Sequence, residues 1–130
     1  MKRLSLFWLL VLLAAVCRGR SSESPAGAYR SEVSIYSIKV ALFPNGTYMA
    51  RWDSDIGNNG TASGQWEMVG EEIRLNPKKE EGEMMKGYLR VLLVREYQGR
   101  KALLRKEDEE YADSPFAYLY LQNPPNKSPS

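Results

Sequence analysis

From Ala28 onward the chain is written in short runs of alternating apolar and polar residues, closed by turn signals about every ten residues. That texture favours β-strands over helices, because a helix repeats its apolar face every 3.6 residues and a strand every two. Ile38, Val40 and Leu42 alternate with Lys39 and Ala41, and Pro44-Asn45-Gly46 then turns the chain. Asn-Gly is the clearest hairpin signal here, since both residues tolerate the positive φ of a tight turn. The return run, residues 47–53, places Tyr48, Ala50 and Trp52 on one face. Val33 and Ile35 fall on the opposite parity to Ile38, which calls for a bulge or break near Tyr36 and Ser37.

Farther on, residues 54–62 read as loop, and Gly64, Trp66 and Met68 share a face in the strand 63–69. A turn at Gly70-Glu71 leads into 72–76, with Ile73 and Leu75 inward, and 77–85 reads as a charged connection. The longest strand candidate is 88–97, with Leu89, Val91 and Leu93 on one side. Gln98-Gly99-Arg100 turns it into 101–106, the acidic stretch 107–113 suits a helical turn, and 116–121 supplies a last strand. In that strand Tyr118 and Tyr120 oppose Leu119 and Leu121.

Six or seven such strands define an all-β fold, an antiparallel meander forming a small lipocalin-like barrel or a two-layer sandwich. Its expected core combines Ile38, Val40, Leu42, Tyr48 and Trp52 with Trp66, Ile73, Leu75, Val91 and Leu93. The β domain is expected over 28–122, after a flexible linker at 20–27 and before a disordered tail at 123–130. Gly64 beside a tryptophan marks close packing, so Gly64→Val should be disruptive.

Residues 1–19 have the layout of a secretory signal: Met1-Lys2-Arg3, thirteen apolar residues from Leu4 to Val16, then Cys17 and Arg18-Gly19-Arg20. As a helix that run rises about 20 Å, short of the ~30 Å of a bilayer core. The expected location is therefore outside the cytoplasm: periplasmic, secreted or lipid-anchored. Leu13-Ala14-Ala15-Val16-Cys17 resembles a bacterial lipoprotein signal that ends before a lipidated Cys17, although Val16 stands where a small residue is usual. The alternatives are ordinary cleavage, for example after Gly19 or after Ala15, and an uncleaved anchor.

Setting Lys2 and Arg3 aside leaves 16 basic and 16 acidic residues. A neutral domain gives no global reason to expect nucleic acid or an anionic membrane, so membrane contact is expected only through a lipid on Cys17. No histidine is present and Cys17 is the single cysteine, which excludes Ser-His-Asp and Cys-His catalysis and His/Cys zinc sites. No cofactor and no metal are expected.

The loop starting Asp53-Ser54-Asp55 resembles the start of a calcium loop but has Gly57, Asn58 and Gly64 where ligands or the turn glycine belong. The basic run Lys86, Arg90, Arg95, Arg100, Lys101, Arg105 and Lys106 reads as the solvated face of a hairpin. Glu71, Glu72, Glu80, Glu81 and Glu83 would support hydrolysis only as a carboxylate pair at a defined separation across a cleft. Asn45, Asn59 and Asn126 begin glycosylation patterns, which matter in a eukaryotic source. Trp52 and Trp66, with Tyr36 and Tyr48, are candidates for lining a ligand pocket, against the alternative that they fill the core.

The pattern Leu42…Asn45-Gly46-Thr47-Tyr48…Gly64-Gln65-Trp66…Ile73-Arg74-Leu75 resembles small bacterial exported proteins and lipoproteins, including the N-terminal barrel of the copper-resistance lipoprotein family. The resemblance implies a barrel and an envelope location. The Cys-x-x-Cys pair of that family is missing, so no metal or redox role is carried over. The expected function is a non-enzymatic, exported or envelope-associated β-barrel that binds a protein or small ligand. The alternatives are a small hydrophobic-molecule carrier and, behind it, a carboxylate-based hydrolase.

Overall fold

The computed structural model describes residues 24–122; the leader, Cys17, the first half of the linker (20–23) and the tail 123–130 lie outside the described residues. Eight strands follow one another: β1 (Gly27–Ser31), β2 (Tyr36–Leu42), β3 (Thr47–Ser54), β4 (Gly60–Val69), β5 (Glu72–Glu81), β6 (Val91–Tyr97), β7 (Arg100–Arg105) and β8 (Tyr118–Leu121). Each pairs antiparallel with the next and β8 closes on β1, so the fold is an up-and-down barrel, not a sandwich. Closure removes the edges that an open sheet would expose.

The break expected near Tyr36 and Ser37 falls earlier: both residues pair in register with Ser54 and Asp53, and the parity change lies in the connection 32–35 between β1 and β2, which leaves Ile35 exposed. The expected linker ends one residue early, since Gly27 already belongs to β1 and Tyr29 is buried in the core. The two hairpin turns differ from their sequence signals. Only Gly46 has positive φ at Asn-Gly; Gly46 N donates to Phe43 O at 3.0 Å, and Asn45 Oδ1 accepts from Thr47 N and Oγ1. The tight two-residue turn is instead Gln98-Gly99, with φ of 51° and 79° between paired Tyr97 and Arg100. That is the type I′ combination whose twist matches the strands it joins.

β4 starts at Gly60, so the loop after β3 is shorter than expected, and β5 runs through what reads as a charged connection. Pro77 is tolerated within β5 because the register shifts there: Gly64 faces Pro77 while Ser63 faces Lys79. A Cβ on Gly64 would sit 2.7 Å from Pro77 Cα and closer still to the Asn76 carbonyl, which explains the need for glycine.

Inside the barrel, Tyr29, Leu42, Tyr48, Ile73, Leu92 and Leu103 are fully buried. Met85 and Leu89, from the β5–β6 connection, are fully buried in the same cluster. The expected phase of β6 is inverted: Leu92 and Val94 join the barrel core, whereas Leu93 lies in a second cluster and Val91 is half-buried. The cause is that β6 begins at Val91, so Leu89 is outside the strand and does not set its phase.

That second cluster joins Leu93, Ala102 and Leu104 to Tyr118 and Tyr120. A connection containing 3-10 turns at Lys106–Tyr111 and Pro115–Ala117 packs against it through Ala112 and Ala117. Tyr97, Tyr118 and Tyr120 donate their hydroxyls to the carbonyls of Asp113, Ala112 and Pro115. Rings pack the sheet while hydroxyls hold the chain above it.

Candidate functional site

The two tryptophans do not form one pocket. Trp52 is buried near the end of β3, stacked on Tyr36 with ring centroids 4.8 Å apart and edge-on to Tyr88 at 5.2 Å. Trp66 is half-buried beside the opposite turn: its Nε1 donates to Phe43 O and its backbone N to Gly46 O. Six residues of β3 separate those levels, roughly 20 Å of strand. Between them the space is occupied by Tyr48, Leu42 and Ile73. The Tyr48 hydroxyl and Trp52 Nε1 are buried without a hydrogen-bond partner, and burial pushes the Tyr48 phenol up to about 12.

Of the five candidate carboxylates, Glu71, Glu72, Glu80 and Glu81 are paired with cations, and Glu83 has no ion pair among the described residues. Arg90 forks onto Glu80, Lys106 and Arg74 hold Glu72, Arg95 reaches Glu71, and Lys79 meets Glu81. The Arg90 hydrogen bond holds the Glu80 carboxyl below its usual range, and the Lys106 hydrogen bond does the same for Glu72. A general acid needs the opposite shift. No group of three metal-ligating side chains exists among the described residues, and the calcium-like stretch is divided between β3, where Asp53 pairs with Arg51, and β4.

The basic run is largely neutralised too. Arg100 meets Glu32 at 2.8 Å, Arg105 meets Glu107 and Asp108 at 2.9 Å, and Arg95 also meets Glu109. Lys101 Nζ donates to Ser24 O.

A different set of cations is created by strand register. Arg30 on β1 lies directly opposite Lys39 on β2, Lys39 opposite Arg51 on β3, and Arg51 opposite Thr61 on β4, which faces Glu81 on β5. All lie on the outer wall, because their neighbours Tyr29, Val40, Ala50 and Ala62 point into the core. Two residues away along each strand runs a second row: Ala28, Ala41, Met49, Ser63 and Lys79. Long basic side chains beside small ones leave a groove of about 670 Å³, with Gln122 at one end. A smaller apolar hollow of about 300 Å³ continues past Ala28 and Ala41 to Phe43 and Pro44.

Like charges directly opposite one another destabilise a sheet. Here no ion pair relieves Arg30 or Lys39 among the described residues; Arg51 pairs with Asp53 on its own strand and Lys79 with Glu81. Asp53 and Glu81 are ion-paired with Arg51 and Lys79, whereas Arg30, drawn only by the Coulombic attraction of Glu32, and Lys39 have no ion-pair partner at the groove. Met49, 58% exposed and two residues from Arg51 on β3, supplies a deformable apolar surface in the neighbouring row. The sequence hid this site because Arg30, Lys39 and Arg51 are spaced irregularly along the chain. Aligning the returns on either side of Asn45-Gly46 is the one signal that would have brought Lys39 and Arg51 together.

The fold and surface together define a closed eight-stranded β-barrel with an occupied interior and a basic, apolar-floored groove on its wall. Comparison with protein-family models, with curated proteins and with solved structures returns no match.

Proposed function

We propose that this chain is a non-enzymatic, exported or envelope-associated β-barrel module that binds a protein or small ligand on the outer wall of β1–β4. The observation that carries the reading is the row Arg30–Lys39–Arg51, three cations set side by side above an apolar floor. Interior packing supports the wall over the lumen, and the neutralised carboxylates support binding over hydrolysis. The leader pattern supports work outside the cytoplasm, with Cys17 either lipidated or removed.

Anilinonaphthalene sulfonate, a fluorescent anion with an apolar body, tests the site on the whole protein. Its emission should rise on binding, fall several-fold with Lys39→Glu, and stay unchanged with Trp52→Phe. Binding lost with Trp52→Phe and kept with Lys39→Glu would move the site to the lumen and favour the carrier alternative.

A further inference from the structure

Resting on that reading of the outer wall, we propose that the groove takes an extended, acidic segment of a partner protein, its carboxylates on the Arg30–Lys39–Arg51 row and its apolar side chains on Met49 and the alanines. The charge distribution is the first argument. The cations stand on three neighbouring strands, with successive spacings of ~5 Å across the sheet. A single-headed amphiphile neutralises one position of such a row; a chain carrying several carboxylates reaches Arg30 and Lys39 together, and Arg51 where Asp53 already shares it.

The lining is the second argument. Thr61 and Ser63 carry hydroxyls in the groove, which suit a peptide's main-chain polar groups and would be left unpaired by an acyl chain. Neither row holds an aromatic ring, whereas strands of nucleic acid are bound by stacking. The floor alternates small residues with Met49, so an extended backbone can lie close while one side chain sinks beside the thioether. Size is the third. Five strands from β1 to β5 span roughly 19 Å, the reach of about six extended residues.

The test uses the whole protein and a labelled eight-residue peptide alternating Glu and Val, followed by fluorescence anisotropy. Saturable binding is expected, weakening at least tenfold in the Lys39→Glu/Arg51→Glu double variant and with rising salt. A Lys-for-Glu peptide should bind that variant instead, which a merely unfolded variant could not do, and circular dichroism checks that the barrel is intact. If the naphthalene sulfonate binds the groove and the acidic peptide does not, the occupant proposed here is wrong while the binding surface stands. Equal binding of a sulfated polysaccharide, or of vesicles rich in anionic phospholipid, would also overturn the peptide in favour of a general polyanion or a membrane. Failure of every probe at the groove removes both readings.

Discussion

Tyr48 and Gly64 face one another across β3 and β4, and each shows how one atom decides a position. The Tyr48 ring fills the barrel while its hydroxyl is buried without a hydrogen-bond partner, and such a group costs about 1–3 kcal/mol. Tyr48→Phe should therefore be neutral or raise stability by about 1 kcal/mol in urea unfolding at neutral pH. The sign of the pH effect follows from the phenol's raised pKa. Folding favours the protonated form, so its contribution is complete below pH 10 and is lost as pH rises towards about 12. Tyr88, Tyr118 and Tyr120 are raised as well, also chiefly by burial, so the difference between wild type and Tyr48→Phe isolates this residue. The gap should widen across that window, because only wild type carries the phenol that ionises. At Gly64 a Cβ meets backbone on β5 that cannot rotate away, so Gly64→Ala should cost at least ~2 kcal/mol and Gly64→Val should prevent folding. Thermal melts equal to wild type would contradict this.

Among the elements, strand pattern was legible where alternation is uninterrupted. Ile38 to Leu42 and Tyr48 to Trp52 sit in the core as their spacing requires. It misled where polar residues belong to a strand with one wet face: residues 77–81 read as a connection because Lys78, Lys79 and Glu81 point to solvent. Pairing of β5 with β6 covers Glu72 to Arg74, so the far half of β5 has β4 as its ladder partner. Pro77, the register shift and two lysines blunt that half-open edge against pairing with other chains. The β5–β6 connection then folds back, burying Met85 and Leu89 while Glu80 accepts from Arg90 and from Gly87 N. Because the Glu80 carboxyl is held below its usual 4.5, the latch is complete above that pH and is lost as pH falls through the lowered value. Hydrogen exchange at the amides of Met85 and Tyr88, which donate to Gly82 and Met85, should lose protection relative to the intrinsic rate at each pH on acidification. In Glu80→Gln it should already be faster at neutral pH, by about three- to tenfold, and respond less to acid. An unchanged rate in that variant would mean the apolar plug alone holds the connection.

At the scale of the whole molecule, a chain that is neutral without Lys2 and Arg3 is not neutral everywhere. The basic run conspicuous in the sequence is largely cancelled by Glu32, Glu72, Glu80 and the acids after Arg105, whereas Arg30 on β1 and Lys39 on β2 have no ion pair among the described residues. Composition cannot reveal that, since only register decides which cations become neighbours. The same register sets stability against binding. Lys39 stands between Arg30 and Arg51, and each like-charged pair across a sheet is destabilising by a few tenths of a kcal/mol to ~1 kcal/mol. Lys39→Glu turns two repulsive pairs into attractive ones at an exposed position. It should raise stability by about 0.5–1.5 kcal/mol, with a gain that shrinks as salt screens the row. In the same variant, binding of the acidic peptide should fall. A residue whose replacement strengthens the fold and weakens the binding is kept for the partner rather than for the barrel. Denaturant unfolding at low and high salt, run beside the anisotropy titration, separates the two effects. Loss of stability in Lys39→Glu would mean that the row serves the fold and would remove the strongest reason for reading it as a site.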